Sequence, residues 1–144
     1  MGIAVNENII AVADLMKSLS LVEFKPGQDG LPDSLTEVAR HYQTLWSTAV
    51  ARIEENCYLE GDAEGNLVVL NRNVTGVTDD DKRRMQVTSE LRLGEIVNRI
   101  HPIAVQSSPG AAVTPRALLA TVRVFSTPTH ALTFLPPDID CVKD

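Results

Sequence analysis

Cys57-Tyr58-Leu59-Glu60-Gly61, Asp62-Ala63-Glu64-Gly65 and Asn66-Leu67-Val68-Val69-Leu70 follow one another without a gap. The two outer segments are apolar and suit a pleated, half-buried surface, while the middle one carries the Asp and Gly that a chain reversal needs. Strand, turn and strand within about fifteen residues predict a β-hairpin, the clearest local signal in the chain. Cys57 is expected as a small buried apolar side chain in its first strand.

The neighbouring segments read the same way. Upstream, residues 46–53 predict a strand, with Ala49, Ala51 and Ile53 on one face and Val50 and Arg52 on the other. Residues 35–42 predict another. Ile9-Ile10-Ala11-Val12-Ala13 is a short apolar run, as expected of a strand buried on both faces, and a near-alternating run through Leu19, Leu21, Val22 and Phe24 pairs with it as a second hairpin. Pro26-Gly27-Gln28-Asp29-Gly30 supplies the next turn. Downstream, Thr78 suits a helix N-cap, followed by Asp79, Asp80 and Asp81 and then Lys82, Arg83 and Arg84, the charge order that a helix dipole favours. This predicts a short solvated helix. Residues 87–93, 95–103 and 117–122 predict further strands, with a loop rich in Ser, Pro and Gly at 107–115. Many short strands with frequent turns define an all-β chain: a sandwich, a barrel or part of a propeller.

Composition narrows the function. At 144 residues the chain is long enough for one ordinary domain. Its 44% apolar share supports folding, and its 4% aromatic share leaves the core to Leu, Val, Ile and Ala. A net charge of −6 argues against a nucleic-acid clamp acting alone, because phosphate neutralisation needs clustered Lys and Arg. The one basic run, residues 82–84, directly follows three aspartates, and the mixed signs cancel beyond a Debye length of about 8 Å. The two cysteines, Cys57 and Cys141, lie far apart and form no C-x-x-C pair, so neither a disulfide framework nor a zinc site is indicated. The N-terminus has neither a basic region nor an apolar core of a secretory signal, and no stretch of 18 residues is apolar throughout. An intracellular, soluble chain is expected.

The order and spacing of several segments carry a family resemblance. They are residues 9–18 and 19–26, Glu37-Val38-Ala39-Arg40 with Trp46 beyond, Leu59-Glu60-Gly61-Asp62-Ala63, Asn66-Leu67, Thr78-Asp79-Asp80-Asp81-Lys82-Arg83, and Leu91-Arg92-Leu93-Gly94-Glu95-Ile96-Val97-Asn98. Together they resemble the third propeller of the large subunits of UV-damaged-DNA-binding protein, a family that is similar to the large subunits of a polyadenylation factor and a splicing factor. The resemblance implies a partial β-propeller: about three blades of four-stranded antiparallel sheet over residues 1–122, with one short helix. Residues 123–144 match no family pattern and are expected as an irregular tail from a truncated or misread gene. It further implies a nuclear scaffold with no catalytic residues and no cofactor, related to the adaptor of a cullin-RING ubiquitin ligase and to DNA repair. Its partners would be proteins, the ligase's substrate receptors; nucleic acid would be met only within a complex, and no membrane is expected. The alternatives are a subunit of an RNA-processing complex or a non-functional remnant.

Trp46 is the one candidate partner-binding residue. In the family a Trp here lies near the receptor-facing surface, and exposed Trp is a frequent hot spot, although packing between blades would also account for it. Gly94-Glu95 is read as a close backbone approach or bulge rather than a phosphate turn. His41, His101 and His130 lack metal-ligand spacing and are expected as surface or satisfied strand residues. Residues 79–81 lack the remaining ligands and the Gly of a calcium loop. Asn73-Val74-Thr75 matches a glycosylation acceptor, which is unused without a secretory signal. No catalytic, cofactor or metal site is nominated.

Overall fold

The computed structural model describes residues 2–106, 110, 113–121 and 131–134. Strands β1 (Gly2–Asn6), β2 (Ile9–Asp14), β3 (Ser18–Lys25) and β4 (Ser34–Arg40) form one antiparallel sheet in chain order. Strands β5 (Ser47–Glu54), β6 (Cys57–Asp62), β7 (Asn66–Arg72) and β8 (Met85–Arg92) form a second, and β9 (Val97–Gln106), β10 (Val113–Thr121) and β11 (Ala131–Phe134) a third. Each sheet is an up-and-down meander, the blade unit of a propeller. The chain is a partial β-propeller.

The hairpin that opened the sequence reading is the centre of this arrangement. β6 and β7 pair with Leu59 opposite Val69 and Gly61 opposite Leu67. Asp62 closes the turn: its carboxylate accepts hydrogen bonds from the backbone N–H of Glu64 (2.9 Å) and Asn66 (2.8 Å) and from the Asn66 side chain (2.8 Å). Gly65 takes a positive φ of 84° in that turn. A Cβ there would also lie 2.8 Å from the Glu95 nitrogen and 2.9 Å from the Gly94 carbonyl carbon. The Gly65 carbonyl in turn accepts from Leu93 and Gly94. The backbone does approach closely at Gly94-Glu95, but the glycine that permits it is Gly65; a Cβ on Gly94 itself would meet nothing within 4 Å, and what Gly94 supplies is a positive φ of 78°.

Side chains on a strand alternate between faces, and here each face has its own neighbour. Tyr58, Val68 and Leu70 pack against Ala11, Ala13, Leu19, Leu21 and Ala39 of the first blade. Cys57, Leu59, Leu67 and Val69 pack with Val97 and Ile100 of the third. That is why residues 57–62 are all buried and read as a continuous run instead of an alternation. Alanines opposite leucines let the sheets approach closely, and a Cβ on Gly61 would already touch Val97 at 3.1 Å.

Most predicted elements are present, with shifts that have physical causes. In β2, Ala11 and Ala13 are buried whereas Ile9, Ile10 and Val12 are half-buried, so that strand is covered fully on one face only. β4 starts at Ser34 and stops at Arg40, leaving Tyr42 outside, and β5 starts at Ser47, leaving Trp46 outside. The short helix α1 (Asp79–Arg83) carries the expected Thr78 cap as a full capping box with Asp81 and buries nothing. Two strands were not foreseen. β1 pairs with β2 from Gly2 opposite Ala13 to Asn6 opposite Ile9, a segment read only for a leader. Within 123–144, expected to be irregular, residues 131–134 pair with β10 as β11; the rest of that tail lies outside the described residues.

Two matched pairs of substitutions test this packing. Leu21 is fully buried and Leu35 is 65% exposed, so Leu21→Ala should lower unfolding stability by about 2–5 kcal/mol and Leu35→Ala by less than about 0.5 kcal/mol in urea titrations. Gly30 and Gly65 share nearly the same φ, but nothing lies within 4 Å of a Cβ on Gly30. Gly30→Ala should therefore cost about 1 kcal/mol for the backbone alone, and Gly65→Ala clearly more.

Candidate functional site

β6 carries two buried acids, Glu60 and Asp62; Asp62 closes the turn, and the fold closes over Glu60. Glu60 lies on the same side of β6 as Tyr58, facing the first blade, and is fully buried. Three polar side chains meet it there: Ser18 at the start of β3, His41 just beyond β4, and Ser47 at the start of β5, all buried. Ser47 reaches this side because the β5–β6 register slips between Ser47 and Ala49. Thr48, the extra residue, turns the other way and donates to the carbonyls of Gly61 (3.1 Å) and Val97 (2.6 Å).

The Ser47 hydroxyl donates to Glu60 Oε1. Ser18 Oγ lies 3.1 and 3.3 Å from the two Glu60 oxygens and 2.8 Å from His41 Nδ1. When His41 carries its proton on Nδ1, the imidazole donates to Ser18 and Ser18 donates to Glu60. Burial pushes the Glu60 carboxyl up to about 7; the Ser18 hydrogen bond opposes this and the nearby Asp62 charge adds to it. Burial likewise lowers the His41 pKa. Both shifts favour neutral forms, so the 3.8 Å approach of His41 Nδ1 to Glu60 Oε2 contributes little as an ion pair, and Ser18 is what joins the two groups. Ser18 itself adopts a positive φ of 66°, uncommon outside glycine, and its two polar contacts hold it there. None of the four is open to a substrate.

What the cluster carries outward is exposed. Residues 41–46 link β4 to β5, and Trp46 at the end of that loop is 61% exposed, so it does not pack between the described blades. Its carbonyl accepts from the Ala63 N–H at 2.8 Å, which ties it to the β6–β7 turn. Tyr42 is also exposed, and the Arg84 guanidinium sits 5.2 Å from its ring centre, a cation–π contact. Leu15 and Met16 are exposed in the turn just before Ser18. Thus the two segments joined by the cluster present four large apolar side chains to solvent.

His41 is the satisfied histidine expected from the sequence. Among the described residues no group of three His, Cys, Asp or Glu side chains is arranged to hold a metal ion. No described helix is long and apolar enough to cross a membrane. Sequence reading missed Glu60. Its signal was an acid flanked by Leu59 and Gly61 inside an apolar strand, which says buried but names no partner.

The raised Glu60 pKa has a stability consequence. The carboxyl has an ordinary value of 4.5 when unfolded and about 7 when folded, so between these the folded state binds more protons. Its contribution is complete below pH 4.5 and is lost as the pH rises to about 7. Glu60→Gln removes this dependence. The stability difference between wild type and variant should drift by on the order of 3 kcal/mol across that window in urea titrations at stepped pH. His41 acts with the opposite sign below pH 6.5 and is common to both proteins. A constant difference would show that Glu60 titrates normally.

Comparison with known proteins identifies the family. Residues 1–123 match the family model described as the CPSF A subunit region. The chain is 36% identical over 121 residues to DNA damage-binding protein 1 of Schizosaccharomyces pombe, covering 83% of this chain and 11% of that protein. It is 34% identical over 136 residues to DNA damage-binding protein 1a of Arabidopsis thaliana, covering 89% and 12%. It is 36% identical over 118 residues to the Solanum lycopersicum protein of the same kind, covering 80% and 10%. The chain thus spans about a tenth of the length of these relatives. By a match over most of its length, it belongs to the CPSF A subunit region family.

Proposed function

We propose that this chain is part of a propeller scaffold that binds other proteins in DNA damage repair and performs no catalysis. The observation that carries this reading is the solvent-exposed loop with Trp46 and Tyr42, held by a buried polar cluster instead of collapsing into the core. Large aromatic side chains on a preorganised loop are what a protein-binding hot spot requires. The relatives named for DNA damage binding support the setting. By the family resemblance, the partners are substrate receptors of a cullin-RING ubiquitin ligase, the chain acts within its adaptor, and the compartment is the nucleus. The charge of −6 supports the reading that any nucleic-acid contact is made within a larger complex.

A second reading, a subunit of an RNA-processing complex, draws on the family description itself. Strong, salt-sensitive RNA binding by the chain would favour it.

Binding of purified substrate receptors, measured by surface plasmon resonance, tests the first reading. Trp46→Ala should weaken binding by about 30-fold or more, as expected of a hot spot worth about 2 kcal/mol, and Leu35→Ala should leave it unchanged. No receptor binding by well-folded wild type would sink the adaptor role; unchanged binding by Trp46→Ala would remove Trp46 from the contact.

A further inference from the structure

We propose that Glu60 is a positioning residue: from inside the seam between the first two blades, it holds both ends of the 41–46 loop and so sets where Trp46 sits. The loop begins at His41 and is followed directly by Ser47, and both are buried beside the same carboxylate. Ser47 donates to it directly, and His41 reaches it through Ser18 at 2.8 Å. Two backbone bonds lie alongside. The His41 N–H donates to the Leu19 carbonyl at 2.9 Å, and the Trp46 carbonyl accepts from Ala63 at 2.8 Å. Leu45 packs on the apolar cluster next to the carboxylate, so the loop is pinned at three points while Tyr42 and Trp46 stay outside.

An acid is a poor choice for this seam if stability alone mattered. Its neighbours on both sheets are Ala, Leu, Val and Tyr, and an apolar residue would avoid the desolvation penalty. What the carboxyl group adds is oxygens that accept from Ser47 and Ser18, with His41 joined through Ser18, a directional geometry that apolar packing does not specify. Two local irregularities point the same way. The β5 register slip brings Ser47 to this side, and the left-handed conformation of Ser18 places its hydroxyl between His41 and Glu60. Each is a departure from regular strand geometry, and both converge on one carboxylate.

The geometric claim stands apart from partner binding, whereas its importance for binding rests on the reading of Trp46 given above. The 144-residue chain has a single Trp, so fluorescence reports on this loop alone. Glu60→Gln and Ser47→Ala should shift Trp46 emission and raise its mobility in anisotropy decay. They should also speed exchange of the His41 and Ala63 amides by about tenfold relative to amides in the middle of β6 and β7. Leu70→Val, which loosens the same seam opposite Tyr58 and not opposite Glu60, serves as the control and should alter neither emission nor the exchange ratio. The same changes in Leu70→Val would reduce Glu60 to ordinary packing and overturn the proposal. If Glu60→Gln does not fold, Ser47→Ala decides, and wild-type emission and exchange in that variant overturn it. Receptor binding by the same variants separates the two readings. Normal loop behaviour in Ser47→Ala with binding lost in Trp46→Ala retains the binding surface and rejects the positioning role. A loosened loop in Ser47→Ala with unchanged binding in Trp46→Ala does the reverse.

Discussion

Burial of β6 and β7 on both faces is the constraint from which the rest follows. A hairpin exposed on one side needs one apolar face; this one needs two, because a neighbouring blade packs on each. Hydrophobic burial drives both contacts, and it requires small residues where the sheets come nearest. Ala11, Ala13 and Ala39 on one side and Ala49 and Ala51 on the other meet that need. The low aromatic content, which leaves the core to Leu, Val, Ile and Ala, suits such thin seams.

The same constraint explains why a polar cluster stands out. A carboxylate enclosed by sheets on both sides must find its partners locally or lose its charge. Glu60 does some of each: it gathers two serine hydroxyls and it holds its proton to higher pH than a solvated acid would. The groups that satisfy it come from segments far apart in sequence, so the cluster joins blades as well as loops. Binding surfaces on propellers lie on loops between strands, and here one such loop is anchored by chemistry internal to the seam.

Much of the fold was legible because its signals are local. The β6–β7 hairpin announced itself through Asp62 and Gly65, and α1 through Thr78 and three aspartates, features that depend on only a few consecutive residues. β1 was missed because Gly2–Asn6 is short and becomes a strand only through its pairing with β2. Choosing a propeller over a sandwich needed family resemblance, since alternation alone says nothing about how sheets are stacked. Trp46 was legible as a candidate, and it stands exposed at the end of the 41–46 loop. Glu60 was not, because its meaning depends on Ser18 and His41, which reach it only after two sheets have closed.

The alternation of β6 means that one short stretch of chain is read by two neighbours at once, each seeing every second residue. The seams can therefore diverge separately: a change at Leu59 concerns the third blade, a change at Glu60 the first. The arrangement has no tolerance for a shift in phase. A single inserted residue ahead of Leu59 would turn the carboxylate toward Val97 and Ile100, where nothing among the described core residues could receive it, and would set a leucine against two serines and a histidine. Length, more than residue identity, is what this strand can least afford to vary.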